Sequence, residues 1–296
     1  MSATFPSEAP RSAWPIRRLT GADPWGLLLL APSLLLLLAL FGVPAVYSVV
    51  GAFADKDGKP SLAHFRIAFG VYGHDVFFTA WLVTLSVLVI AAGAVLIGGY
   101  LILGSNRTAV RLLAWLYRWP LFVPMVCAAQ MMRSFLARNG MLNNALEAAD
   151  VLTPMHAVSL LDWRGVLITF VWKQLPFVTL MVAGAMAALD RSMIEAARDL
   201  GAGRLRVLLG VVLPLVRGPL LVACVLTFVT LMSVLSVPIM LTADSPTMIT
   251  VDMAYRINTF GDYGTADALG VISYAMTMLV GWIYLRHAAR ERVLAP

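Results

Sequence analysis

Residues 192–203, Ser-Met-Ile-Glu-Ala-Ala-Arg-Asp-Leu-Gly-Ala-Gly, form a polar, arginine-bearing segment in a very apolar chain. Met193, Ala196, Ala197 and Leu200 recur at positions i, i+3, i+4 and i+7, and this spacing predicts one apolar face of a short helix. Gly201 stands where a left-handed residue ends such a helix without a Cβ clash. The same apolar spacing recurs from residue 205 to 213, so a second helix is predicted to run into Pro214.

The start of this segment has two compatible interpretations. Ser192 and Glu195 have the spacing of a capping box, in which the two side chains satisfy free backbone N–H groups at a helix start. The second interpretation is that this rigid helix pair, lying between membrane spans, docks into another protein.

The composition places the chain in a membrane. Of 296 residues, 60% are hydrophobic and 13% are charged, whereas soluble domains are about half apolar. The predicted fold class is therefore all-α and polytopic. The net charge of +6 is assigned to arginines that anchor cytoplasmic loops, so no nucleic-acid partner is predicted.

Six apolar segments are long enough to cross a bilayer, which takes roughly 20 residues. They are approximately 25–54, 76–105, 112–136, 165–189, 218–241 and 268–285. Residues 1–24, rich in Pro, Ser and Arg, are predicted to be a flexible cytoplasmic tail, and residues 286–296 a second cytoplasmic tail. The segment 25–54 is the first transmembrane helix. Residues 76–285 form a five-helix core that includes a cytoplasmic loop at 190–217.

The distribution of basic residues predicts the orientation. Six spans put both termini on one side, and the basic residues of that side outnumber those of the other by about two to one. The larger set is Arg11, Arg17, Arg18, Arg107, Arg111, Arg191, Arg198, Arg204, Arg206, Arg217, Arg286, Arg290 and Arg292. By the positive-inside rule this side, with the termini and residues 192–214, is cytoplasmic.

Glu195-Ala196-Ala197 followed by Gly201, with Leu213-Pro214 further on, resembles the EAA loop of permease subunits in bacterial binding-protein-dependent ABC importers. The variant Glu-Ala-Ala-Arg-Asp-Leu-Gly-Ala is similar to the branch that handles polyamines, ferric iron, thiamine and some phosphonates, whereas the sugar branch more often has Asp-Gly-Ala at that turn. The resemblance extends to Gly140-Met-Leu-Asn143 and to Trp172-x-x-x-Pro176-Phe177. One departure is Ala188-Leu189-Asp190-Arg191, where relatives more often carry Ile-Pro.

The resemblance implies a six-helix type I ABC importer permease (MetI-like) fold in the bacterial inner membrane. It implies two ATP-binding subunits, a second permease and a solute-binding protein as partners, with lipid around the spans. The residues implied to dock on the ATPase are Glu195, Ala196, Ala197, Asp199 and Gly201. The helix that follows would pass the motion on, with Pro214 as a hinge because proline donates no backbone hydrogen bond.

The sequence predicts a non-catalytic subunit. It has no Gly-x-x-x-x-Gly-Lys-Ser/Thr phosphate loop, so any ATP is bound by a partner chain and no cofactor is expected. No catalytic or metal-ligand constellation is present, since the four histidines are scattered. The alternative function is an ATP-independent secondary carrier or channel, in which residues 190–217 are only a connector.

Polar residues within the spans are candidates for the translocation path. Lys173 lies deep in the fourth span, where an ammonium group is costly, so it faces either a structural partner such as a carbonyl or the path. Gln130 is a further path candidate. Thr230 and Ser233 serve either close helix packing or the lining of the path. Arg133 lies near the outer end of the third span, where it can reach lipid headgroups.

The acidic residues bear on the substrate. None lies within a predicted span, which argues against a free cation, whereas the loop resemblance favours a polyamine such as spermidine or putrescine, or a phosphonate-like anion. Four aspartates of the last outer loop either meet a periplasmic binding protein or are simply solvated. They are Asp244, Asp252, Asp262 and Asp267.

Overall fold

A computed structural model describes residues 24–55, 57–242 and 246–294. Apart from Pro24, the predicted tail at 1–24 lies outside the described residues, as does Asp244. In the described part of the chain the regular structure is helical, with one isolated β-bridge between Ala54 and Pro60. The predicted all-α class is confirmed.

Thirteen α-helices succeed one another in the described residues. The first six are α1 Pro24–Leu37, α2 Val43–Phe53, α3 Ala63–Leu103, α4 Arg107–Leu116, α5 Met125–Leu136 and α6 Met141–Ala148. The others are α7 Trp163–Ala187, α8 Arg191–Asp199, α9 Arg204–Val207, α10 Leu213–Met232, α11 Ser236–Leu241, α12 Ile249–Phe260 and α13 Tyr263–Leu294. A π-helical turn at Leu38–Gly42 joins α1 to α2, and another at Leu208–Val212 joins α9 to α10.

Five helical runs are long and apolar enough to cross a membrane, and a sixth span results if one sharply bent pair is counted as one. The five are Leu30–Phe53, Ala63–Leu103, Trp163–Ala187, Arg204–Met232 and Tyr263–Arg286. The number agrees with the six predicted segments, but the bounds differ. Helix α3 begins well before residue 76, and α13 continues through residues 286–294.

The third span differs most from its prediction. Residues 112–136 do not form one helix, because the run Arg107–Phe122 and the run Met125–Ala148 meet at an angle of 107°. Pro124 precedes α5, where its fixed φ and missing N–H group suit a helix start and prevent continuation of the preceding turn. A short 3₁₀ turn at Trp119–Phe122 lies on the other side of the break.

The chain divides into two compact units, Met1–Tyr47 and Ser48–Pro296. In the second unit the hydrophobic core lies where α3 packs against α7 and α10. Small residues allow the close approach. A Cβ atom on Gly98 would lie 3.2 Å from the Met186 sulfur, and one on Gly99 would lie 2.7 Å from Leu208 side-chain carbons. Glycine at such contacts is typical of membrane helix interfaces.

Candidate functional site

Helix α8 begins at Asp190 rather than at the predicted capping box. The Asp190 side chain accepts a hydrogen bond from the Ser192 backbone N–H (3.0 Å), so Asp190 is the N-cap and α8 starts at Arg191. That backbone hydrogen bond is the main cause that lowers the pKa of Asp190 below its ordinary value. The prediction of Ser192 as the cap is wrong, because the helix begins two residues earlier than a cap at Ser192 would place it. Glu195 is exposed on the second turn.

The other end of α8 is as predicted. Gly201 has φ +81°, a left-handed conformation that a side chain would strain. The Gly201 N–H donates to the Arg198 carbonyl (2.8 Å), and the Ala202 N–H donates to the Ala197 carbonyl (3.1 Å). This pair of bonds is a Schellman motif, which satisfies the last carbonyl groups of the helix.

Most of the predicted apolar face of α8 is exposed, although Ala197 is half-buried and packs against the hydrophobic core. Leu200 is 89% exposed, Met193 is 45% exposed and Ala196 is exposed, whereas the buried residue of the helix is Ile194. An exposed apolar stripe on a capped helix is an unpartnered surface, since burying it would be favourable by about 25 cal/mol per Å².

Two arginines tie α8 and α9 to the end of α3. Arg198 Nη2 donates to the Leu103 carbonyl (3.3 Å), and Arg204 Nη2 donates to the Ser105 hydroxyl (2.9 Å). These contacts place the α8 turn close to the start of the basic connection at 106–111. A cavity of about 410 Å³ lies between α8 and the ends of α3 and α7, and Arg191, Glu195 and Arg198 are among its lining residues.

The segment after Gly201 is one continuous run from Arg204 to Met232, so the predicted second helix and fifth span are a single element. Pro214 lies just after the π-helical turn Leu208–Val212, in which the Leu213 N–H donates to the Leu208 carbonyl. A π-helical turn is a site where a helix can locally rearrange. The hinge at Pro214 stays a prediction.

Lys173 lies at the break in the third span. Its Nζ atom donates to the carbonyl oxygens of Pro120 (2.8 Å) and Leu121 (3.4 Å). Lys173 is ten residues into α7 from Trp163, roughly 15 Å at about 1.5 Å per residue, and therefore near the middle of a hydrocarbon layer of about 30 Å. Of the two roles that the sequence allows for Lys173, a structural carbonyl partner or a part in the translocation path, these contacts supply the carbonyl partner.

The other path candidates lie on exposed faces. Gln130 and Arg133 are exposed on α5, Thr230 is exposed near the end of α10, and Ser233 is exposed just after that end. The Thr230 hydroxyl donates to the Leu226 carbonyl (2.8 Å), and the Ser233 hydroxyl donates to the Thr230 carbonyl (2.8 Å). The two hydroxyls are thus satisfied within their own helix and do not hold another helix in place.

Two polar residues are buried although the sequence patterns did not predict their burial. Asn143 donates through Nδ2 to the carbonyl oxygens of Ala137, Arg138 and Val158, at 3.2, 2.9 and 3.0 Å, and so ties the loop after α5 together. Asp75 is 8% exposed within α3. It stands one residue before the predicted start of the second span, and the expectation of no acid within a span is therefore wrong.

The outer aspartates are not a simple solvated cluster. Asp252 is 7% exposed, and Asp262 pairs with Arg256 at 3.3 Å. Asp267 accepts a hydrogen bond from the Ser48 hydroxyl. In the described part of this loop, each of these acidic groups forms a hydrogen bond or an ion pair with another residue of the chain.

Comparison with known proteins adds a family and a fold. Residues 94–293 match the family described as binding-protein-dependent transport system inner membrane component. The chain is 26% identical to the sulfoquinovosyl glycerol transport system permease protein SmoG of Agrobacterium fabrum, over 88% of each chain. It is 30% identical to the spermidine/putrescine transport system permease protein PotB of Escherichia coli K12, over 51% of this chain and 56% of that one.

A similar fold occurs in the crystal structure of a bacterial alginate ABC transporter in complex with an alginate pentasaccharide-bound periplasmic protein. The TM-score is 0.77 at 19% identity, over 90% of this chain and 95% of the other.

Proposed function

Since this chain belongs to the family of binding-protein-dependent transport system inner membrane components and is a permease subunit of an ABC importer, we propose that it carries a glycoside with an acidic group across the inner membrane. Membership of this family favours an ABC importer over the alternative of an ATP-independent carrier or channel. The single observation that supports an anionic substrate is that Arg133 is exposed on α5, a helix without aspartate or glutamate.

The position of Arg133 supports a water-filled path. Arg133 is exposed eight residues after the start of α5, roughly 12 Å along the helix from the break. An arginine facing lipid within a membrane costs about 2.5–3.5 kcal/mol or more. Irregular backbone at membrane depth, such as the break before Pro124, is tolerated where it is buried in protein or lines a water-filled cavity. This face of α5 therefore suits a path or a second subunit better than it suits lipid.

The charge of that face suits an anion. Neither α5 nor α10 contains an aspartate or glutamate. Gln130 adds an uncharged polar group on α5, and Thr230 and Ser233 are exposed polar groups at the C-terminal end of α10. The relative with similarity over 88% of each chain is named for sulfoquinovosyl glycerol, a glycoside whose sugar bears a sulfonate. Arginine is well suited to such an anionic group because its planar fork donates several hydrogen bonds.

A polyamine is the second candidate substrate. The 30% identity to the spermidine/putrescine permease and the variant of the loop at 195–202 favour it. Arg133 opposes it, because a polycation on this face would meet a positive charge without a carboxylate from this chain.

The partners proposed for the chain are two ATP-binding subunits, a second permease subunit, and a solute-binding protein such as the one in the alginate transporter complex. The surface proposed for the ATPase is the exposed side of α8 and its C-terminal turn, with Glu195, Ala196, Asp199 and Gly201 exposed and Ala197 half-buried, and the proposed hinge is Pro214. With α8 against a cytoplasmic ATPase, both termini are cytoplasmic.

The test is uptake into proteoliposomes by the complete transporter with its binding protein. A sulfonated or carboxylated glycoside should be taken up in an ATP-dependent manner, and a neutral glycoside and spermidine should not. Arg133→Gln should raise the KM for the anionic glycoside about tenfold or more, whereas Arg138→Gln, at an exposed arginine outside α5, should leave it unchanged. Uptake of spermidine instead, or equal kinetics for both variants, would contradict the proposal.

A further inference from the structure

Two carboxyl groups are buried close together at the end of α3 that lies away from α8. Asp75 on α3 and Asp252 on α12 are 8% and 7% exposed. Asp75 is 28 residues from Leu103, where α8 is attached, and this separation is roughly 42 Å along the helix. The pair therefore takes no part in the surface assigned to the ATPase.

Thr247 connects the two acids. Its backbone N–H donates to Asp75 Oδ1 (3.1 Å), and its hydroxyl donates to Asp252 Oδ1 (2.8 Å). One turn along α3, the Thr79 hydroxyl accepts a hydrogen bond from the Ile249 N–H (3.0 Å). Residues 247–249 are thus fastened to α3 by the hydrogen bonds to Asp75 and Thr79, and the bond from the Thr247 hydroxyl to Asp252 ties the first turn of α12 to this attachment.

The charges at this junction do not balance. Asp252 Oδ2 is buried without a hydrogen-bond partner among the described residues. Arg256, the cation that acts on Asp252 from its own helix, is already engaged, because its Nε donates to the Tyr72 hydroxyl (2.6 Å) and its Nη1 bonds Asp262 (3.3 Å). A buried carboxylate without full pairing is costly, and binding a proton removes the cost.

We propose that Asp252, together with Asp75 and Thr247, forms a proton-binding site whose occupancy strengthens the attachment of α12 to α3. The ligand is one proton from solvent, which converts the Asp252 carboxylate to the neutral acid. Thr247 keeps donating to Oδ1, and the repulsion between Asp252 and Asp75 disappears. The site goes beyond the proposed transport function, and only its assignment to the outer face of the membrane rests on that proposal.

The electrostatics agree with this geometry. Burial raises the pKa of Asp252 to about 7. The hydrogen bond from Thr247 opposes the rise, the charge of Asp75 adds to it, and the charge of Arg256 opposes it. Once α12 detaches, Asp252 is solvated and returns to an ordinary value of about 3.9.

The sign of the pH dependence follows from these two values. Because the attached form holds the proton more tightly, attachment is strongest in acid and weakens as the pH rises through about 4 to 7. At pH 6 the attached form holds the proton and the detached form has already lost it, whereas at pH 8 both forms are ionised, so the detachment equilibrium should rise about tenfold between these pH values.

Hydrogen exchange of the full chain in lipid nanodiscs tests the site without substrate or partner. After correction for the intrinsic rate, peptides covering residues 246–260 should exchange about tenfold faster at pH 8 than at pH 6. Asp252→Asn should remove this change and keep the protection found at pH 6. Asp57→Asn, at an exposed acid on the loop before α3, should behave like the wild type.

A second variant covers the case in which Asp252→Asn does not fold. Asp75→Asn keeps an acceptor for Thr247 and removes the repelling charge, so the midpoint of the change should move to lower pH. An unchanged pH response in Asp252→Asn, or no response in the wild type, would overturn the proposal. Exchange that follows the Na⁺ concentration at constant pH would also overturn it, since the ligand would then be a metal cation. Because no outcome depends on transport, failure here is distinct from failure of the proposed function.

Discussion

The Lys173 ammonium group lies 2.8 Å from the carbonyl oxygen of Pro120, on the far side of a break that divides the third span. At this break the Pro120 carbonyl accepts a hydrogen bond from the Val123 N–H (3.3 Å), and Lys173 adds a donor to it and to the Leu121 carbonyl. The cation and the irregular backbone, each costly in lipid on its own, thus satisfy one another.

Lys173→Met should therefore destabilise the break. The substitution removes the Lys173 donor from the Leu121 carbonyl and leaves the Pro120 carbonyl with the Val123 N–H alone. Losing such a bond costs about 1–3 kcal/mol, and the geometry of the adjoining α5 face should suffer, so that both thermal stability and uptake fall. Lys173→Arg, which can still donate to carbonyls, should recover part of both. Lys59→Met, at an exposed loop lysine, is the control. Normal uptake and stability in Lys173→Met would show that these contacts are dispensable.

Gly201→Val should impair the connection between ATP hydrolysis and transport. At φ +81° a side chain costs roughly 1–2 kcal/mol, although no neighbouring atom obstructs it. The loss is confined to the turn that orients α8, so membrane insertion should remain normal while the uptake per ATP hydrolysed falls.

Gly203→Val is the matched control for that substitution. Gly203 has an ordinary extended conformation, with φ −68°, and open space around its Cβ position. If the two valine variants have the same transport-to-ATPase ratio in proteoliposomes, the left-handed turn is not needed for coupling.

Asp190→Ala and Ser192→Ala distinguish the two candidate caps of α8. Only Asp190 accepts a hydrogen bond from the helix start, so its replacement should increase hydrogen exchange in residues 190–200 several-fold, whereas Ser192→Ala should have little effect. Because the pKa of Asp190 is lowered, its contribution is complete above its ordinary pKa and is lost as the pH falls through the lowered value. Equal protection in both variants at pH 7 would count against Asp190 as the cap.

The loop after α5 depends on Gly140 and Asn143. A Cβ on Gly140 would lie 2.6–2.8 Å from three backbone carbonyl oxygens, including that of Ala137, and Asn143 donates to the Ala137 carbonyl and to two others. Gly140→Ala and Asn143→Ala should each lower the melting temperature, by an amount corresponding to about 1–3 kcal/mol. Gly184→Ala, in α7 with open space around its Cβ position, should be neutral or stabilising by about 0.5–1 kcal/mol. A melting temperature unaffected by Gly140→Ala would mean that the loop adapts easily.

Local patterns were enough to predict some elements. The turn at Gly201 was predictable because the apolar spacing before it and the glycine both belong to one short segment. The position of the N-cap was not predictable, since Asp190 and Ser192 are both good N-caps. Only the direction of the incoming chain selects between them. The apolar stripe of α8 was identified correctly, but the sequence could not show that Met193 and Leu200 face outwards.

The sequence by itself determined that this chain is an all-α membrane protein with about six spans. Crossing lipid requires long apolar helices, and the apolar runs along the sequence show approximately where they are. It also determined the polar turn at 192–203. Only the tertiary structure decided that Lys173 bonds the broken third span and that Asp75 and Asp252 share one buried junction. Those groups are far apart in the chain, and the cost of burying each depends on a partner that only packing brings within hydrogen-bonding distance.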